Sequence, residues 1–403
     1  MRSVLAGKKI VLGVTGSIAA YKAAYLASDL TQRGALVDVV MTEPATRLIA
    51  PLTFQSLTKR PVHVDMFRLI DNADITHVSL GVNADVIVIA PATANTIARM
   101  AHGLADDLLT TTVLAARCPI VLAPAMDAGM YESPATRDNV ATLRGRGVVV
   151  VEPEMGRLAS GMVGLGRLAS LEEIVGRIRW VLGQNGDLAG TSVLVTAGGT
   201  QEPIDPVRVI TNRSSGKMGY AIAEAALDRG ARVTLVSAPT AIDPPVGVEY
   251  VPVTTAEEMR AAVRAKLGRM DALIMAAAVA DFRVERVAEQ KIKRGESGLQ
   301  LTLVPNPDIL AETAGEDGEK VPLRVGFAAE SDRLVERARE KLVRKKLDLI
   351  VANQVDSSGS VFGSDLNEVV ILDSAGHETE VKLAPKLEVA HQILDQLAKL
   401  MNP

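Results

Sequence analysis

The chain opens the same structural unit twice, and that repetition is the strongest limit on how it folds. Residues 9–41 (KIVLGVTGSIAAYKAAYLASDLTQRGALVDVVM) run from an apolar strand through a Gly-Ser turn into a helix and back to a strand. Residues 192–237 repeat the order, with SVLVTAGGT and later SSGKMGYAIAEAALDRGARVTLVS. Each start sets glycine and small hydroxyl residues where a buried strand ends, the position at which backbone N–H groups and a helix N-terminus hold phosphate. One core rarely organises a chain of 403 residues, so the two starts predict two nucleotide-handling domains.

The segments between these starts keep the same alternation. KIVLGVT, a helix from about Ser17 to Arg33, VDVVM, ADVIVIAPA, a helical stretch through Leu109, PIVLAPAM, a helix over Pro134–Arg146 and VVVVEP follow one another. Continuous apolar strands between amphipathic helices mean a parallel sheet covered on both faces. The second half repeats this with SVLVTAG, RVTLVS, a helix over Ala256–Lys266, DALIMAAAVAD, RVGFAAE, a helix over Asp332–Lys346 and LDLIVAN, then EVVILD, ETEVKL and a last helix. The fold class is α/β, with two doubly wound domains. GQNGDLAGT is glycine-rich and polar, which places the domains at 1–184 and 191–403 with a linker at 185–190. The stretch from Arg283 to Asn306, which contains KIKRGES, reads as a mobile functional excursion from the sheet.

Composition excludes several partners. With 48% hydrophobic and 23% charged residues the chain is too apolar for disorder, and a formal charge of −4 provides no global field toward nucleic acid or an anionic membrane. Any bound anion must be gripped locally. Cys118 is the single cysteine, which excludes an intrachain disulfide or CxxC metal site and leaves a buried packing thiol as the ordinary reading. The N-terminus lacks a signal-peptide pattern and no apolar run approaches about 18 residues, so the expected location is cytoplasmic.

The first turn, GVTGSIAAYK, lacks the GxGxxG spacing of dinucleotide sites. Gly16 and Ser17 suit a phosphate monoester as well as a pyrophosphate, although a plain strand-to-helix turn reads the same way. Thr42 adds a hydroxyl at the same sheet edge. Pro91, Ala92, Thr93, Ala94 and Asn95 follow a buried strand, in the crevice where such sheets bind ligands. This loop resembles the PASANT signature of flavin-dependent cysteine decarboxylases, and PAMDAGM resembles their PxMNxxM segment. His77, in THVSLG, would ordinarily be a solvent-facing histidine on a loop before a strand. The resemblance instead implies a catalytic base beside the flavin.

In the second half, DPVRVITNRSSGKMGYAIA is not a Walker loop, because Met218 follows Lys217 and the first glycine is missing. It resembles the signature of phosphopantothenate–cysteine ligases, as do AAAVADFR, KIKR, NPDIL, GFAAE and KxxxKxLDLIVAN in the same order. Together the motifs are similar to the bifunctional ligase–decarboxylases of bacterial coenzyme A synthesis. The N-terminal domain is then expected to be flavodoxin-like and flavin-binding, and the C-terminal domain a Rossmann-like ligase. Asn212 would lie at the acyl intermediate, Ser214, Ser215 and Gly216 at a phosphate, and Lys291 at the triphosphate. Ala277, Asp281, Asn306, Pro307, Asp308, Ile309, Phe327, Lys341 and Lys345 would hold CTP, with Mg²⁺ entering through its phosphates. Independently of the resemblance, a triphosphate needs several cations gathered at one place. Lys341 and Lys345, one turn apart before LDLIVAN, suit that need, and Asp281 at the end of an apolar strand reads as a ligand to base, ribose or metal because an unpaired buried charge is costly.

Two positions depart from the resembled pattern. Asp127 stands where those decarboxylases have an asparagine for the substrate carboxylate, which an aspartate repels unless protonated or turned aside. Ser160, in GRLASGMVGLGRL, stands where they have a proton-donating cysteine, and a hydroxyl is a far weaker acid than a thiol of pKa about 8.5. Three accounts stay open: protonation by His77 or water, a branch using serine and aspartate together, or a flavin half without full turnover.

The resemblance implies that 4′-phosphopantothenate and cysteine are joined through an acyl-cytidylate made from CTP, and that FMN then serves decarboxylation of the product to 4′-phosphopantetheine. It also implies a homo-oligomer, a dodecamer built from trimers of the first domain and dimers of the second. Competing readings are a ligase whose flavin domain is impaired or stops at the enethiol, and a nucleotide-sensing protein with two inactive domains. A pyridine-nucleotide dehydrogenase is disfavoured, since neither turn has GxGxxG.

Overall fold

The computed structural model describes residues 4–67, 75–294, 298–314, 322–330, 332–354 and 363–401. The chain divides into two compact units, Met1–Gly183 and Gln184–Pro403. In the first, strands β1 (Lys9–Val14), β2 (Leu36–Met41), β3 (Val62–His63), β4 (Val86–Ala92), β5 (Ile120–Pro124) and β6 (Val149–Val150) form a parallel sheet of order β3-β2-β1-β4-β5-β6. Five of the six residues of β1 and all of β4 are buried, as expected of strands covered on both faces. Ile10, Leu12, Val86 and Val88 pack with Leu26 and Leu30 on one side, while Val11, Ile87 and Ile89 pack with Ile97 and Leu109 on the other. Each such side chain contributes about 1.5–3 kcal/mol when fully buried.

The strand order reverses at β1, which pairs with both β2 and β4, and the segments leaving the carboxyl ends of β1 and β4 diverge there to open a crevice. The helix Ala94–His102 leaves β4 with Thr93 as N-cap and ends at Gly103 in the left-handed region. A second helix, Leu108–Ala115, follows from an Asp107–Thr110 capping box. Beyond the sheet, β7 (Glu154–Arg157) and β8 (Val163–Arg167) form a hairpin whose connection carries Ser160.

The second unit holds β9 (Ser192–Ala197), the small pair β10 (Gln201–Pro203) and β11 (Val209–Thr211), β12 (Arg232–Ser237), β13 (Glu249–Pro252) and β14 (Ala272–Met275). After the pair β15 (Phe282–Val284) and β16 (Leu303–Pro305) come β17 (Leu323–Glu330), β18 (Leu349–Gln354), β19 (Leu366–Asp373) and β20 (Glu378–Pro385). The main sheet runs β13-β12-β9-β14-β17-β18-β19-β20, parallel up to β18 and antiparallel after it. Its reversal falls at β9, between β12 and β14.

Two expectations change in detail. The glycine-rich segment 185–190 packs within the second unit: Leu188 is buried, its N–H donates to the Arg229 carbonyl at 2.9 Å, and Arg229 pairs with Asp187. The excursion from Arg283 to Asn306 is closed at its base by the antiparallel β15–β16 pair, and the GES end of KIKRGES lies outside the described residues.

Candidate functional site

A crevice of about 700 Å³ opens at the carboxyl edge of the first sheet. It gathers Gly16, Ser17, Thr93, Asp127 and Ser160 with Lys22, Arg157 and Arg167. Thr15 ties its two walls together: the hydroxyl donates to the Pro91 carbonyl at 2.7 Å and accepts from the Thr93 N–H at 3.0 Å. Ser17 does not begin the helix as the sequence suggested. The helix starts at Ala20, and Ser17 lies in the preceding turn with its hydroxyl on the Ala125 carbonyl at 3.0 Å. Pro91 and Ala92 are buried in the end of β4, and Asn95 is exposed in the next helix, all outside the crevice lining.

Thr42 also lies outside that lining, but its buried Oγ1 has no hydrogen-bond partner. An orphaned buried hydroxyl is costly unless a ligand satisfies it. That atom, the Gly16–Ser17 turn and three nearby cations suit a phosphate-bearing flavin. Burial and Arg167 push the Lys22 ammonium below the usual lysine range, while Glu154 opposes them, so an arriving phosphate restores the favoured charge. His77 is in the helix Thr76–Asn83 and not in a loop, half-buried and outside the crevice lining.

Asp127 and Ser160, the two departures, meet directly. Asp127 caps the helix Ala128–Glu132 through the Gly129 N–H at 3.2 Å, and the Ser160 hydroxyl donates to Asp127 Oδ2 at 2.6 Å. The carboxylate is thereby engaged on both oxygens. Cys118 is half-buried, and burial pushes its thiol up, away from the reactive thiolate.

The second unit has a cavity of about 610 Å³ at the carboxyl ends of β14, β17 and β18. It brings together Asn212, Ala277, Asp281, Asn306, Pro307, Asp308, Ile309, Phe327, Lys341 and Lys345. Asn212 Nδ2 donates to the Val279 carbonyl at 3.0 Å and Asn306 Nδ2 to the Ala280 carbonyl at 2.8 Å, so two carboxamides fix the 276–281 loop. This loop corrects the reading of DALIMAAAVAD as one strand. β14 ends at Met275, and Asp281 is an exposed residue on the cavity wall, with no burial cost to explain.

Lys341 Nζ donates to the Phe327 carbonyl at 2.7 Å, and Lys345 pairs with Asp308 at 2.9 Å. Burial and then the neighbouring Lys345 lower the Lys341 ammonium. Burial would raise Asp308, yet Lys345 and the Ala311 N–H hold its carboxyl below the ordinary range. Lys291 is exposed on the excursion and outside the cavity lining. Its neighbour Ile292 donates its N–H to the buried Asp205 carboxylate at 3.1 Å. Among the described residues no three His, Cys, Asp or Glu side chains cluster as a metal site.

The sequence reading missed Lys217, Asn353, Asn367 and Lys386, which also line this cavity. A signal existed for the lysines. Each is the first residue of a helix, Lys217–Asp228 and Lys386–Met401, where the macrodipole disfavours a cation.

Two family models match the chain: Flavoprotein over residues 2–183, and the DNA/pantothenate metabolism flavoprotein C-terminal domain over residues 188–401. Fold and sites thus define a flavoprotein domain joined to a pantothenate-metabolism domain. The coenzyme A biosynthesis bifunctional protein CoaBC of Bacillus subtilis (strain 168) is 45% identical over 98% of this chain and 98% of its own length. That of Vibrio vulnificus (strain CMCP6) is 46% identical over 99% of each. The crystal structure of the C-terminal domain of a coenzyme A biosynthesis bifunctional protein CoaBC is 39% identical, covering 54% of this chain and 98% of that one with a TM-score of 0.46. The chain belongs to the CoaBC family of bifunctional coenzyme A biosynthesis enzymes, with ligase and decarboxylase activities. These relatives give no support to the alternative of an impaired flavin half. Among the described residues no helix is long and apolar enough to cross a membrane.

Proposed function

We propose that residues 191–403 use CTP and Mg²⁺ to activate the carboxylate of 4′-phosphopantothenate, releasing pyrophosphate, and pass the acyl-cytidylate to the cysteine amine, releasing CMP. Residues 1–184 then decarboxylate the 4′-phosphopantothenoylcysteine in an FMN-dependent step. The observation that carries this reading is the convergence of Asn212, Asp281, Asn306, Phe327, Lys341 and Lys345 on one cavity from five separate segments. An amine cannot displace oxide from a carboxylate, so a phosphate leaving group is the need such a cavity meets.

Lys341 and Lys345 hold the triphosphate, with the 306–309 segment and Phe327 around the nucleotide. Asn212, already fixed on the loop, orients the mixed anhydride. Lys291 reaches the triphosphate from the excursion, and Mg²⁺ enters on the CTP phosphate oxygens.

In the first unit, Gly16, Ser17, Thr42 and Thr93 hold the FMN. The chemistry supplied by bound FMN is a reversible two-electron sink, without which loss of CO₂ from a cysteine carboxylate leaves an unstabilised carbanion. Ser160 hands a proton to the substrate and takes one back from water, while Asp127, 2.6 Å away, accepts the hydroxyl's hydrogen bond and holds it at the crevice. Ile18 and Tyr21 line the crevice yet are 63% and 55% exposed, which supports a crevice completed by another copy of the chain. His77 of that copy would then serve as the base, in a trimer of first units and, with paired second units, a dodecamer. The protein would work in the cytoplasm. A yellow preparation releasing FMN, with CMP formed only when cysteine is present, is the expected result; a colourless protein or CTP turnover without cysteine would contradict it.

A further inference from the structure

Lys341 and Lys345 sit on the helix Leu334–Arg344 and its C-cap, tethered to Phe327 and Asp308. Lys217 and Lys386 come from different helices, which pack on each other and both open at the cavity. Their cations meet one short segment: Lys217 Nζ on the Gly363 carbonyl at 2.7 Å and Asp365 at 2.6 Å, Lys386 Nζ on the Ser364 carbonyl at 2.5 Å. Lys386 is only 7% exposed. Helix N-termini already carry partial positive charge, so two lysines in first positions at one cavity favour an anion there, and the Asp365 carboxylate that meets Lys217 is itself exposed to solvent.

Asn367 supplies an independent observation. It is 6% exposed, lines the same cavity, and its Oδ1 has no hydrogen-bond partner, while its Nδ2 makes only a 3.8 Å contact with the Met218 sulfur. A half-turn of the carboxamide exchanges donor and acceptor at little cost, which makes the open position a donor for an anion.

Resting on the ligase reading above, we propose that Lys217, Lys386 and Asn367 form a second anion seat, which takes the phosphate monoester of the acyl substrate and leaves Lys341 and Lys345 to the triphosphate. The seat makes the enzyme select phosphorylated over free pantothenate. Asp365, exposed to solvent, holds Lys217 in place until the dianion arrives.

The test uses the full-length chain, with CMP release as readout and 4′-phosphopantothenate, pantothenate and CTP varied in turn. Lys217→Ala is expected to raise KM for 4′-phosphopantothenate about tenfold to a hundredfold, the worth of a charged hydrogen bond, with KM for CTP changed less than about twofold and the preference over pantothenate reduced in proportion. Asn367→Asp, nearly isosteric, is expected to do the same by placing a negative charge at the seat, which separates the effect from misfolding. A rise in KM for CTP instead, or unchanged constants in both variants, overturns the inference alone. Wild-type protein that releases no CMP overturns the ligase reading and this inference with it.

Discussion

Ser160 Oγ donates a 2.6 Å hydrogen bond to Asp127 Oδ2, joining the two residues at which this chain departs from the decarboxylases it resembles. A carboxylate facing the substrate carboxylate would repel it, but this one is engaged on both oxygens by the Ser160 hydroxyl and the Gly129 N–H. The same Ser160–Asp127 bond fixes the hydroxyl beside the crevice where a proton is needed. Ser160→Ala is therefore expected to slow 4′-phosphopantetheine formation by about a hundredfold or more, with CO₂ release less affected. Ser160→Cys is expected to retain formation of the saturated thiol. Equal loss of both products in Ser160→Ala would show that the hydroxyl is not the proton donor.

Lys341 gives the ligase a pH signature. Burial and Lys345 lower its pKa, so the free enzyme loses this cation at a pH below that of an ordinary lysine. The kcat/KM for CTP should fall on the alkaline side earlier than an unperturbed lysine allows. Replacing Lys345 by Ala removes the like charge and should move that alkaline limb upward, even as overall affinity drops. A limb that stays fixed in Lys345→Ala would exclude Lys341 as the titrating group.

Asp205 ties the Lys291 excursion to the rest of the second unit. Its buried carboxylate accepts from the Val207, Arg208 and Ile292 N–H groups at 2.8, 2.9 and 3.1 Å. Burial would raise its pKa, but those amides and Arg208 hold it below the ordinary value. A depressed carboxyl contributes stability above its unfolded pKa and loses it as pH falls through the folded one. Asp205→Asn should thus flatten the acid limb of the unfolding profile of this unit, measured by urea midpoint against pH, and lower ligase turnover through the misplaced excursion.

Gly198, at the end of β9, has φ +79°, and a Cβ there would lie 2.7 Å from the Ala238 carbonyl oxygen. Gly198→Ala should destabilise the second unit by about 1–3 kcal/mol, seen as a lower Tm for its transition with that of the flavin-binding unit unchanged.

Both sheets were legible in the sequence because strands such as VIVIAPA and SVLVTA are buried on both faces and read as unbroken apolar runs. Asp281 was placed at a strand end because AAAVAD continues the apolar run of β14, although Asn212 and Asn306 hold it as a loop through carbonyls no periodicity reveals. The Ser17 helix start was misread for a similar reason: its hydroxyl bonds across the sheet edge to Ala125, a long-range partner, instead of capping locally. Lys386 escaped notice because its partner Ser364 and the cavity it lines are set by tertiary packing. The Asp127–Ser160 hydrogen bond spans 33 residues and needs the β7–β8 hairpin to form.

The most direct test of the central claim follows one reaction containing the purified protein, 4′-phosphopantothenate, cysteine, CTP and Mg²⁺, with CMP, CO₂ and 4′-phosphopantetheine quantified together. The account predicts that all three accumulate in equal amounts and that none forms without CTP. CO₂ without the saturated thiol, or no CMP at all, would contradict it.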